Sequence, residues 1–205
     1  TSSRFGGSRG GARGGKKFKG EHIDISKFIN KATTVVEEVY TPKHTFSDFK
    51  IDAKLLENIA RRGFVIPSPI QDQTIPLALD KRDIIGLANT GTGKTAAFLI
   101  PLIDKALRFP DRQVLVLAPT RELAIQIEQE LKKLTFNSKI YSVICVGGTS
   151  LVPQIKILKN KNQFIIGTPG RVLDLMKRRA MNASSIQAIV LDEADRMLDM
   201  GFIHD

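Results

Sequence analysis

A three-layer α/β fold, with helices on both faces of a mainly parallel sheet, is predicted by two features of the 205-residue sequence. The first is alternation. Short apolar runs at Ile84–Leu87, Val114–Ala118, Tyr141–Val146, Phe164–Gly167 and Ala188–Leu191 are separated by stretches with helical spacing. Unbroken apolar runs of this kind suit strands buried on both faces, which is the setting of a parallel sheet covered by crossover helices. The second is the glycine-rich segment Ala88-Asn89-Thr90-Gly91-Thr92-Gly93-Lys94-Thr95, which lies between the first run and a helix-like stretch, Ala96–Leu102. It reads as strand, tight turn and helix in direct succession.

In chain order, residues 1–20 carry six cations and no acid, so they hold +6 of the formal +10. Their arginine–glycine repetition, with Phe5 and Phe18 interleaved, cannot build a core and predicts a disordered arm. Such an arm suits weak, nonspecific RNA binding with a salt slope of about −4 if all six cations meet single-stranded phosphates; a solubilising linker is the plain alternative. Residues 21–43 read as a linker, with Ser26–Ala32 as a short amphipathic helix and Pro42 as its end. The ordered region is expected from about residue 44, as an entry segment over 44–72 and an α/β domain over 73–205. Asp52–Arg62 has Leu55, Leu56 and Ile59 at helical spacing, and Gly63 is placed to end that helix. Two prolines make Gly63–Gln71 an extended turn, and Gln71 opens a helix through Ala78. Later helices are expected over Leu123, Ile127, Leu131 and Leu134, around Ile155–Leu158, and from Arg171.

No apolar run approaches the roughly 20 residues of a membrane span, and no signal-peptide pattern opens the chain. A cytoplasmic, monomeric protein is expected. The single cysteine, Cys145, reads as a small buried hydrophobe, and His22, His44 and His204 share no metal-ligand spacing with it.

In a parallel sheet the C-terminal ends of the strands form one edge, where ligands collect. Gly91 and Gly93 let successive backbone N–H groups and the following helix N-terminus point at one small volume, which suits phosphate. Lys94 can set its ammonium beside the β- and γ-phosphates, and the Thr95 hydroxyl can ligate Mg²⁺. A glycine-rich turn with a solvated lysine is the plain alternative. The same edge receives Pro119-Thr120-Arg121, Gly147-Gly148, Thr168-Pro169-Gly170-Arg171 and Asp192-Glu193. Thr120 and Thr168 read as helix N-caps with Pro169 as a first helical residue, and Arg121 and Arg171 beside those N-termini suit anions. Asp192 sits where a carboxylate would hold Mg²⁺, and Glu193 could orient and deprotonate a water; an exposed acidic turn is the alternative.

The order A-N-T-G-T-G-K-T, P-T-R-E-L, G-G, T-P-G-R and D-E-A-D resembles motifs I, Ia, GG, Ib and II of DEAD-box ATP-dependent RNA helicases, and G-F-V-I-P-S-P-I-Q resembles their Q motif. The resemblance runs from about Phe46 to the end, and departs from the general phosphate-loop pattern in opening on Ala88 instead of glycine. It implies a RecA-like fold with ATP and Mg²⁺ as cofactors. Gln71 would read the adenine edge and Phe46 would stack on the base, with Ala88 through Thr95 on the phosphates. Pro119, Thr120, Arg121, Gly147, Gly148, Thr168, Pro169, Gly170 and Arg171 would hold the RNA backbone independently of base sequence. Asp195 would couple hydrolysis to an S-A-T motif. That motif, and a second RecA-like domain with arginine fingers, are not found before Asp205, so the chain alone is expected to turn over little. The activity implied is RNA-stimulated ATP hydrolysis with unwinding of short duplexes. An ATP-gated RNA clamp and a DNA translocase are the competing readings, the latter disfavoured by the D-E-A-D spelling and the Q motif.

Overall fold

The structure is a computed structural model that describes residues 40–202. The predicted arm, the linker through residue 39 with its short helix, and His204 lie outside the described residues. The helices are α1 (Ala53–Arg61), α2 (Pro69–Leu79), α3 (Lys94–Arg108), α4 (Arg121–Leu134), α5 (Leu151–Leu158), α6 (Pro169–Lys177) and α7 (Ala194–Asp199). The strands are β1 (Gln113–Leu117), β2 (Ser142–Cys145), β3 (Phe164–Gly167) and β4 (Ile186–Leu191). They form one parallel sheet in the order β2-β3-β1-β4. Among the described residues no helix is long and apolar enough to cross a membrane.

The pleat sends alternate residues of each strand to opposite faces, giving two cores. On one face Val114, Val116, Phe164 and Ile166 pack with Leu55 and Ile59 of α1, Leu99 and Ile103 of α3, and Ile127 and Leu131 of α4. On the other, Leu115, Val143, Cys145 and Ile165 pack with Val172 and Leu175 of α6. Three layers follow, as the apolar runs require. Burial also pushes the Cys145 thiol up to about 12, with Arg171 opposing the shift, so the side chain behaves as a small hydrophobe.

The helix ends obey local chemistry. Asp52 Oδ1 caps α1 by accepting from Lys54 N at 2.8 Å, and Gly63 takes the left-handed φ of +75° that terminates it. Buried Asn58 donates through Nδ2 to the carbonyls of Leu134 and Phe136, at 2.9 and 3.0 Å, and so fastens α1 to the end of α4. Pro101 lies within α3, which continues past it to Arg108 instead of stopping near Leu102.

One expected element is absent. Ile84–Leu87 is not a strand, and Ile85 and Leu87 are 94% and 91% exposed. An apolar run becomes a strand only when a neighbour accepts its hydrogen bonds, and no described strand lies beside it. β4 is bonded to β1 alone, and Ile189 and Leu191, level with Leu115 and Leu117, are exposed as well.

The compact unit begins at Tyr40, ahead of the expected start. Asp72, in the first turn of α2, accepts from Tyr40 Oη at 2.5 Å, Lys43 N at 2.8 Å and His44 N at 3.1 Å, and meets His44 Nδ1 at 2.7 Å. Burial works to raise the Asp72 pKa, but the bonds from Tyr40, Lys43 and His44 outweigh it and hold the carboxyl down at about 2. A depressed carboxylate pKa contributes stability that is complete above the unfolded value near ~4 and is lost as pH falls toward the folded value. Unfolding free energy measured by urea titration should therefore fall between pH ~4 and ~2, and Asp72→Asn should flatten the curve in that window.

Gly167 is constrained by contact. A Cβ there would stand 2.9 Å from Val172 Cγ2 and closer still to the Cys145 carbonyl oxygen, so β2, β3 and α6 meet where only hydrogen fits. Gly167→Ala should cost about 1–3 kcal/mol in urea unfolding through overpacking. Gly170→Ala, whose Cβ would meet nothing within 4 Å, should cost no stability.

Candidate functional site

The glycine-rich loop turns between Asn89 and Lys94. Thr92 Oγ1 donates to Asn89 O at 2.7 Å across the turn, and Gly91 and Gly93 both take positive φ, +81° and +91°. Gly93 is the N-cap of α3, so Lys94 and Thr95 are its first two residues and the free N–H groups of that terminus open toward the loop. The expected turn and helix are present; the strand that was to lead into them is not.

Gln71 braces this loop from behind. Its Oε1 accepts from Ser68 N at 3.0 Å, closing the first turn of α2, while its Nε2 donates to Gly93 O at 3.2 Å. A Cβ on Gly93 would displace the Gln71 amide from the loop, and the φ of +91° favours glycine there in its own right. Phe46 is 4% exposed, with its ring stacked on Phe64 at 6.2 Å and edge-on to Phe49 at 6.0 Å. It stands in the structure as a residue of the core that also holds Leu55 and Ile59 of α1.

Across from the loop, β4 delivers the acidic pair. Asp192 N donates to Leu117 O at 3.0 Å, extending the β4–β1 ladder one residue past the strand. Burial raises the Asp192 pKa, Lys94 pulls it back, and Glu193 pushes it up again. Glu193 caps α7 with φ +51° and ψ +50°, a left-handed conformation uncommon for glutamate and a form of backbone strain that concentrates at functional sites. Arg196 Nη1 donates to Glu193 Oε2 at 3.2 Å. Ala88, Asn89, Thr90, Lys94, Glu193, Asp195 and Arg196 line one open pocket of about 630 Å³. Sequence reading picked out every lining residue but Arg196, which carries no motif signal and enters only because α7 begins directly after Glu193.

A second group occupies the same edge. Pro119 is buried and Thr120 caps α4, its Oγ1 accepting from Leu123 N at 3.2 Å. Thr168 is the N-cap of α6 and Pro169 its first residue, but no side-chain bond is made there. Thr168 N instead donates to Cys145 O, at 3.1 Å. Gly147 and Gly148 are exposed, with Gly148 at φ +71° and its missing Cβ 3.5 Å from Arg121 Nη1. Arg171 donates through Nη1 and Nη2 to Thr149 O at 3.3 and 3.2 Å. The two guanidinium groups thus flank the Gly147–Thr149 turn, with exposed Gly170 beside them. Thr149 was not foreseen; its backbone carbonyl, invisible to motif reading, anchors Arg171.

Comparison with known proteins agrees with this geometry. Residues 68–205 match the DEAD/DEAH box helicase family. An ATP-dependent RNA helicase, CshA, of Listeria monocytogenes is 47% identical over 161 residues, covering 78% of this chain and 31% of the relative. The DEAD-box ATP-dependent RNA helicase CshA of Bacillus subtilis is 48% identical over 162 residues, covering 78% and 33%. The chain therefore spans about a third of the length of these curated relatives. The crystal structure of a DEAD box protein from the hyperthermophile Methanococcus jannaschii superposes with a TM-score of 0.75 at 40% identity, over 78% of this chain and 44% of that one. With the glycine-rich loop and the Glu193–Arg196 turn on one pocket, and with the family match over residues 68–205, the chain belongs to the DEAD/DEAH box helicase family.

Proposed function

We propose that these residues form the ATP-binding part of an ATP-dependent RNA helicase, whose RNA-stimulated hydrolysis opens short duplexes. The observation that carries the reading is the single pocket shared by Lys94 of the loop and by Glu193 and Asp195 of the acidic turn. ATP would lay its phosphates on the N–H groups between Thr90 and Thr95 with Lys94 beside the β- and γ-phosphates, while Gln71 and Phe46 would define the adenine side. The name CshA belongs to bacterial relatives, and a cytoplasmic location is part of the proposal.

The donor set fits Mg²⁺. No three acidic, histidine or cysteine side chains cluster among the described residues, and Mg²⁺ ordinarily takes one carboxylate together with phosphate oxygens and water. Thr95 and Asp192 would hold the ion, which supplies charge neutralisation on the phosphates. Asp192 is half-buried, with Lys94 as its nearby cation, and a carboxylate in that position gains from a second positive charge. Glu193 would accept the proton of the attacking water, and Asp195 would pass the change on to the rest of the protein. On the neighbouring loops, Thr120, Arg121, Gly148, Thr168, Gly170 and Arg171 would grip the sugar-phosphate backbone of RNA.

The test is ATP turnover with and without single-stranded RNA, in the longest form of the protein that contains these residues. RNA-stimulated hydrolysis that Glu193→Gln abolishes, with ATP and RNA binding retained, is the expected result. Binding of both without turnover in the parent would replace the helicase reading with an ATP-gated clamp. Asp192 gives a further expectation from its raised pKa. Folded stability should decline as pH rises from the unfolded value near ~4 through the folded one, because ionisation is disfavoured in the native state. Asp192→Asn should thus raise the melting temperature of the nucleotide-free chain at pH 7, with the gain fading below pH ~4. The same change should remove the extra stabilisation that Mg²⁺ adds to bound ATP, measured by thermal shift.

A further inference from the structure

The strands enter the sheet along the edge opposite the site, and that edge carries an unassigned set of side chains. Among the described residues three aromatic side chains are exposed, Phe109, Phe136 and Tyr141 at 44%, 55% and 57%, and all three stand there. Phe109 lies between α3 and β1; Phe136 and Tyr141 lie in the connection from α4 to β2. Single exposed aromatics are ordinary, but three on one edge form a pattern.

Cations accompany them. The Arg112 guanidinium lies 4.5 Å from the centre of the Phe109 ring, and that of Arg61 lies 4.7 Å from the centre of Phe136. Exposed Lys139 precedes Tyr141 by two residues. The nearby acids have partners of their own: Asp111 pairs with Lys161 at 2.6 Å, and Glu57 with both Lys54 and Arg61 at 2.8 and 3.1 Å. The platform is held in place from beneath. Buried Gln163 accepts from Tyr141 N through Oε1 and donates to Pro110 O through Nε2, both at 2.9 Å, so one side chain fixes the two loops side by side. Asn58 fixes Phe136 through its carbonyl.

We infer that this edge is a second binding surface for single-stranded RNA, on which bases stack against Phe109, Phe136 and Tyr141 while Arg112 and Lys139 meet phosphates. Stacking platforms interleaved with cations recognise single strands irrespective of sequence, since every base has a π face. Guanidinium planes already lying over two rings extend the stack. An acidic peptide would use the cations and leave the rings idle, which is why RNA is the better fit. The surface is separate from the loops that bear Arg121 and Arg171, and does not depend on nucleotide.

The experiment measures binding of a fluorescent oligouridylate to the full 205-residue chain without ATP, as a function of salt. Phe109→Ala with Tyr141→Ala should weaken binding by at least about fivefold. Arg112→Gln with Lys139→Gln should make the logarithmic salt slope shallower by about 1.4. Both pairs are exposed, so unchanged melting temperatures are the check on folding. Ultraviolet crosslinking should place RNA on the peptides containing Phe109 and Tyr141, and should do so equally in an Arg121→Ala, Arg171→Ala variant. Affinities within twofold of the parent for both pairs, or crosslinks confined to the opposite edge and residues 1–20, would overturn the inference. So would loss of polyglutamate binding in the charge variant with RNA binding intact.

Discussion

Everything at the site rests on parallel register. Leu117, Gly167 and Leu191 are paired level with one another, and Cys145 is level with Gly167, so four chains leave the sheet on one line. Neighbouring strands stand about 4.8 Å apart, which brings the turns after them within side-chain reach. Arg121 can then lean on Gly148 and Arg171 on Thr149, although tens of residues separate them in sequence. A slip of one residue would turn every core side chain of a strand to the other face, so the two apolar cores hold the register and hence the site. Gly167 shows how tight that requirement is: the absence of one carbon lets β3 close against both β2 and α6.

Most of this was legible because its causes are local. Continuous apolar runs marked the four strands, and the bounds of Phe164–Gly167 were met residue for residue. Thr120 and Gly63 act as the cap and terminator that their residue types suggest. What escaped had nonlocal causes. The run at Ile84–Leu87 has strand composition, but composition does not supply a hydrogen-bonding neighbour. α3 outlasted its proline because Leu99, Ile100 and Ile103 are fully buried, and the packing outweighs one missing N–H. Thr149 with Arg171, and the Tyr40–Asp72 clasp, join residues that no spacing rule connects. The packing of Phe46 against Phe49 and Phe64 likewise joins residues brought together only by the fold.

The acidic turn stores unfavourable terms. Glu193 is held at positive φ, and Asp192 is placed where burial disfavours its charge. Neither arrangement is what folding alone would select, since a glycine at 193 and an amide at 192 would both relieve it. The bond from Asp192 N to Leu117 O supplies part of the restraint by prolonging the ladder past the end of β4, and α7 begins at once beyond Glu193. The strain is thus confined to two residues between rigid elements. Such confinement is what keeps two carboxylates at fixed positions across from Lys94.

The first turn of α2 connects the two ends of this system. Asp72 ties down the entering chain from Tyr40 to His44, and Gln71, one residue earlier, holds the Gly93 carbonyl. Adjacent residues on one helical turn therefore bind the incoming segment on one side and the N-cap of α3 on the other. Gly93 sits at φ +91° as the N-cap of α3, so its carbonyl is directly joined to the first free N–H groups of that helix. The Gln71 Nε2 group carries two N–H donors, of which Gly93 O takes one, so the amide can hold the loop and still have a second donor. The first turn of α2 is thereby a structural link between the entering segment and the N-cap of α3.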